Sequence, residues 1–95
     1  MNQNIFAFTV HGEAMMPTIK KGDKVFIGPD PDEEIKNGDI CIAFVGDNFL
    51  VRRFFCEQPE FSDTIQLKAD NPAFPEVTVV LPAVIHRVNR IQLMV

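Results

Sequence analysis

The chain is 95 residues long, 46% hydrophobic and 23% charged, with a formal net charge of -4 from 13 acids and nine bases. That length holds one domain, 1–95, and the composition lies outside the polar, highly charged range in which chains stay disordered. An acidic surface disfavours direct nucleic-acid binding, which needs cations to displace phosphate counterions, and no apolar run approaches the roughly 20 residues of a spanning helix, so no membrane segment is expected.

The N-terminus, Met1 to Ile5, lacks the basic and apolar regions of a secretory signal, consistent with a cytoplasmic protein. Ile5 to His11 alternates Phe6, Phe8 and Val10 with Ile5, Ala7 and Thr9, so it reads as a strand with both faces at least partly covered. His11 to Pro17 follows, where Gly12 permits an unusual backbone angle and Pro17 biases Met16 away from the helical region. At most one helical turn fits there. Two phrases rhyme, Lys20-Lys21-Gly22-Asp23 before Lys24 to Ile27 and Lys36-Asn37-Gly38-Asp39 before Ile40 to Ala43; in each, a Gly-Asp turn capable of an Asx hydrogen bond delivers the chain into a strand. The acidic, proline-punctuated Gly28 to Glu34 between them reads as a solvated loop.

Gly46-Asp47-Asn48 separates the apolar runs Ile40 to Val45 and Phe49 to Phe55, which predicts a β-hairpin. After the polar stretch Glu57 to Asp63 come a strand at Thr64 to Ala69, a turn at Asp70 to Pro75 and a strand at Val77 to Leu81. Pro82 breaks the chain before a last apolar segment, Ala83 to Val95. The whole reads as a mostly β, compact domain with hairpins. A domain of this size buries only about 60 to 65% of its unfolded surface, and nine Phe, with no Trp or Tyr, are expected to fill its core.

Chemistry-bearing residues are few. Cys41 and Cys56 are too far apart for a CxxC site and read as reduced, buried thiols. No pairing of them with His11 or His86 has the close spacing of a zinc site, so no metal and no cofactor is expected. The one serine, Ser62, reads as a loop residue that nothing activates.

The segment Val10-His11-Gly12-Glu13-Ala14-Met15-Met16-Pro17-Thr18-Ile19-Lys20-Lys21-Gly22-Asp23 resembles the signature of the LexA-like, S24 peptidase family. That signature usually reads valine, any residue, Gly, Asp, Ser, Met, any residue, Pro, Thr, Ile, then Gly-Asp. Asn37 to Ile40, Val51-Arg52-Arg53-Phe54, Leu67 to Pro75 and Val84 to Val88 are similar to the family's later blocks, in order. The resemblance implies the compact LexA and signal-peptidase-like β fold. It also implies a serine nucleophile after the first strand and a hairpin lysine as its base, cutting the protein's own upstream segment.

Carried across, the nucleophile position is Ala14 and the lysine position is Arg52, flanked at the first by Gly12, Glu13, Met15 and Pro17. Ala has no oxygen to attack with, and Arg stays protonated, so it cannot take the proton. The site is therefore expected to be vestigial and the chain a pseudo-peptidase. Ala14 and Arg52 are expected to be neighbours, Arg52 pairing with an acid such as Glu13 or swinging to water.

The family's repressors also dimerise through this region, which implies a dimerisation or regulatory module of a phage-type transcriptional repressor. A homodimer is expected to use the apolar end Ile91, Leu93, Met94 and Val95, since an exposed strand edge invites its twin; that strand could equally close the domain's own sheet. DNA would be reached only through a helix-turn-helix absent from these residues, and active relatives would also meet a RecA-type co-protease. Two other readings stay open. One is a serine-lysine autopeptidase inactivated by engineering at positions 14 and 52; the other is a free-standing partner protein that docks on a LexA-like subunit.

Overall fold

The computed structural model describes residues 5–29, 34–58 and 62–94. Eight strands run in order: β1 (Phe6–Thr9), β2 (Lys24–Ile27), β3 (Ile40–Val45), β4 (Asn48–Phe55), β5 (Thr64–Lys68), β6 (Val77–Val80), β7 (Val84–Arg87) and β8 (Arg90–Gln92). They form an antiparallel three-stranded sheet, β1-β2-β8, and an antiparallel five-stranded sheet, β6-β5-β4-β3-β7. No helix occurs among the described residues. The expected single helical turn is present as a bend in which Ile19 N–H donates to Met15 C=O at 2.9 Å. One turn apart on a common face, Met15 and Ile19 both drop into the core at 1% and 0% exposure.

Both Gly-Asp phrases fold as predicted turns and use the same bonds. Gly22 and Gly38 have φ of +98° and +94°, which the third position of a type II turn requires and side-chain-bearing residues resist. Asp23 N–H donates to Lys20 C=O at 3.0 Å and Asp39 N–H to Lys36 C=O at 2.9 Å. Each carboxylate then reaches back to the turn's first residue, accepting from Lys20 N–H at 2.8 Å and from Lys36 N–H at 2.9 Å. The β3–β4 hairpin closes through Gly46 and Asp47, since Val45 and Asn48 are already paired. Gly46, at φ +59°, takes the first central position.

The core divides into two clusters, and β3 serves both by the period-2 alternation of a strand. Ile42 faces Val10, Met15, Ile19, Val25, Ile27 and Val51, while Cys41 and Ala43 face Cys56, Ile65, Leu67 and Ile85. The cysteines are free thiols, and burial pushes that of Cys41 up to about 12.

Two expectations need correction. No described Phe is fully buried; the core is aliphatic, with Met and Cys, and the rings wrap it instead. Phe8 of β1 meets Phe44 of β3 edge-on at 5.7 Å and Phe49 of β4 at 5.1 Å, which joins one sheet to the other. The first strand is not covered on both faces. It is an edge strand paired only with β2, and Ile5 and Phe6 remain 63% and 48% exposed. The last apolar segment folds as two strands, β7 and β8, in different sheets. The chain crosses between them where Val88 N–H donates to Ile40 C=O and Asn89 N–H to Phe26 C=O. Of the expected acidic loop, residues 30–33 lie outside the described residues.

Ile42 is fully enclosed on β3, which is paired on both sides in the larger sheet, so Ile42→Ala should cost about 2 to 5 kcal/mol in urea unfolding. Val80→Thr, at a position 67% exposed on an edge strand, should stay within about 0.5 kcal/mol.

Candidate functional site

A cleft of about 360 Å³ opens between the turn after β1, the N-terminal half of β4 and the loop carrying Phe74. Gly12, Ala14, Met15 and Arg52 all line it. The structure thus brings to one cavity two positions 38 apart in the chain that the family resemblance pairs. Of the other flanking positions, Glu13 and Pro17 are exposed and are not part of the lining. A Cβ built on Gly12 would meet nothing within 4 Å, so the cleft is open at that point. The remaining lining is largely apolar, with Val10, Phe49, Val51 and Phe74, and includes His11 and Asp47 but no Ser, Thr or Cys.

The cleft lies along a sheet edge. β5 pairs β4 only at Arg53, Phe54 and Phe55, so no described strand covers that side of Asn48 to Arg52. Arg52 sits opposite Cys41 in register, and its guanidinium curls back so that Nη1 donates to Val51 C=O at 2.8 Å. The ring of Phe74 lies 6.0 Å from the guanidinium carbon. Nε is buried and finds no acceptor in the described chain. Burial also lowers the guanidinium's pKa, without an opposing carboxylate to restore it. The expectation of an ion pair with Glu13, or of a swing into water, is therefore corrected: Arg52 is half-buried and pairs with no described acid.

What holds this turn in place was not read from the sequence. Arg53 donates to Asp70 twice, Nε to Oδ1 at 3.0 Å and Nη2 to Oδ2 at 3.1 Å, and its Nη1 donates to Gly38 C=O at 2.9 Å. Thr18 Oγ1 donates to the same Asp70 carboxylate. The next residue reaches the site itself. Asn71 N–H donates to Ala14 C=O at 2.9 Å, and Asn71 Nδ2 donates to Glu13 C=O at 3.0 Å. Asn71 Oδ1 then accepts from Ala73 N–H at 3.0 Å, which shapes the loop that carries Phe74. The sequence marked these residues as a turn phrase, Asp70-Asn71-Pro72, and as parts of two family blocks; nothing in spacing says which strand an Asp will meet.

The expected dimer residues lie apart from the cleft. Ile91 of β8 packs against the first core cluster, whereas Leu93 and Met94 are 60% and 69% exposed. Val95 lies outside the described residues. Met94 is anchored through its backbone, which donates to Asp23 Oδ1 at 2.7 Å. That bond, then the one from Lys20, holds the buried Asp23 carboxyl below its ordinary range.

Comparison with known proteins adds two findings. The Peptidase S24-like family model matches residues 1–89. A LexA repressor from Clostridium tetani is 31% identical over 78 residues, covering 81% of this chain and 36% of the repressor. The chain therefore spans about a third of that relative's length.

The Arg53 hydrogen bonds, opposed by burial and aided by Thr18, hold the Asp70 carboxyl below the usual carboxylate range. A depressed pKa contributes stability that is present above the unfolded value and lost as pH falls through the folded one. Between about pH 5 and pH 2 the unmodified chain should thus lose more stability than Asp70→Asn, which has no such carboxylate to protonate. Urea midpoints across that range check it; parallel losses would remove Asp70 as a contributor.

Proposed function

This chain belongs to the peptidase S24-like family, and we propose that it is a catalytically silent member acting as a dimerisation or regulatory module of a LexA-type repressor. The observation that carries the first half is the cleft's inventory. A serine-lysine mechanism needs an oxygen nucleophile and a base with a neutral amine near pH 7. The lining holds neither, because Ala14 has only a methyl group and Arg52 stays protonated. The family's usual lysine gains from burial, which favours its neutral form; an arginine in the same place is merely desolvated.

The second half rests on β8, one of the two edge strands of the three-stranded sheet. Its inner side closes the domain's own sheet against β2 and its Ile91 faces the core, so Leu93, Met94 and the outer edge are what remain for a partner. A two-fold pairing of this edge with its twin would cover them. A repressor role would place the domain in the cytoplasm, reaching DNA through a module outside these residues.

Mass spectrometry after prolonged incubation, at neutral pH and at about pH 10 where a lysine base would be neutral, should find the chain intact. Ala14→Ser alone should remain intact too, because a serine without a base is a poor nucleophile. Cleavage of the unmodified chain would end the silent-site reading. In sedimentation at tens of micromolar the chain should run at twice its monomer mass, and Leu93→Glu should run as a monomer that still unfolds cooperatively, its melting temperature lower only by what dimerisation contributes. A monomeric unmodified chain would remove the dimer role.

A further inference from the structure

Arg52 carries five N–H donors, and the structure accounts for one of them, a bond to the carbonyl of its own neighbour. Its Nε is buried without an acceptor in the described chain, and none of the described ion pairs includes it. Folded proteins rarely leave a buried donor of a charged group in that state, because taking it from water is costly unless a partner compensates. Arg53, one residue on, shows what satisfaction looks like here, with a two-pronged carboxylate and a carbonyl.

Around Arg52 the cleft is apolar on the sides formed by Val10, Met15, Phe49 and Phe74, and open at Gly12. Asp47 also lines it, exposed at the tip of the β3–β4 hairpin, yet makes no ion pair with Arg52. His11 is the other titratable group there.

We propose that this cleft is a receptor for a carboxylate carried on an apolar body, the carboxylate bound by the Arg52 guanidinium and the body lying against Phe49 and Phe74. Arginine's planar fork matches a carboxylate two-pronged, as a lysine's single ammonium does not. The proposal rests on the reading that the cleft is catalytically silent, so that a ligand placed there stays whole.

The test titrates three probes into the unmodified chain: N-acetylphenylalanine, its uncharged amide, and 3-phenylpropionate. The ¹⁵N-resolved Arg52 Nε–H signal and calorimetry are the readouts. The acid should bind with a Kd on the order of 1 mM, as suits a probe this small. It should bind about tenfold more tightly than the amide, the worth of one charge-assisted contact, and it should move the Arg52 signal. Arg52→Met should erase the difference between acid and amide. If that variant does not fold, the comparison of the two probes on the unmodified chain decides by itself.

The 3-phenylpropionate arm separates the sources. Equal binding assigns the site to free carboxylic acids, and weaker binding assigns it to the terminal residue of a peptide. Acid and amide binding equally, or neither moving the Arg52 signal by about 10 mM, would overturn the proposal. A probe recovered hydrolysed would instead overturn the silent-site reading.

Discussion

One guanidinium holds the parts of this domain in register. Arg53 on β4 binds Asp70, beyond the end of β5, with two parallel bonds and the carbonyl of Gly38, just before β3, with a third. Asp70 passes the tie on to Thr18, and Asn71 passes it to the backbones of Glu13 and Ala14. Four segments distant in sequence are therefore fixed to one another at a single point. Their side chains are 34% and 19% exposed, so solvent screens the Coulomb part of the pair. What the fork supplies is geometry: two fixed directions rather than a point attraction. Without it, the turn bearing Ala14 would keep only the burial of Met15 and Ile19 and the backbone bonds within it and between Val10 and Gly22–Asp23.

The two Gly-Asp turns show one local solution put to two tertiary uses. Each aspartate accepts the backbone N–H three residues earlier, and each glycine takes the backbone angle that lets the turn close. Asp23 is buried, and its second oxygen accepts Met94 N–H, so it ties the start of β2 to the chain beyond β8. Asp39 is half-exposed and its carboxylate lies 3.7 Å from Arg87 Nε at the end of β7. In both cases an acid that begins as a turn residue ends by locating the C-terminal strands, which are the elements that join the two sheets.

Local patterns made much of this legible beforehand. The hairpin at Gly46-Asp47, both Gly-Asp turns and the bend after β1 follow from glycine, proline and Asx chemistry acting over four or five residues. The family blocks placed Ala14 and Arg52 together, and the cavity holds both. Three features were not legible because they are decided between elements. Ala83 to Val95 reads as one apolar stretch, and only the carbonyls of Ile40 and Phe26, waiting on different sheets, divide it at Val88 and Asn89. The phenylalanines promise a buried aromatic core, but two thin sheets leave their centre to Ile, Val, Leu and Met and place rings at the seams. That Asp70 would meet Arg53 rather than Arg52 depends on which side of β4 the turn after β5 approaches.

Arg52 and Arg53 are chemically identical neighbours with opposite circumstances, and the alternation of a strand is enough to cause it. Successive side chains leave β4 on opposite faces, Arg53 opposite Ile40 and Arg52 opposite Cys41. On one side the guanidinium meets a carboxylate and a carbonyl, and its protonated form is favoured. On the other it meets apolar surface, an aromatic ring at the limit of cation–π range and a carbonyl from its own strand. Burial of that kind suits an amine that must lose its proton, since desolvation and function then act in the same direction. An arginine keeps its proton there, so the same walls that would tune a lysine leave a half-buried cation with no carboxylate partner among the described residues.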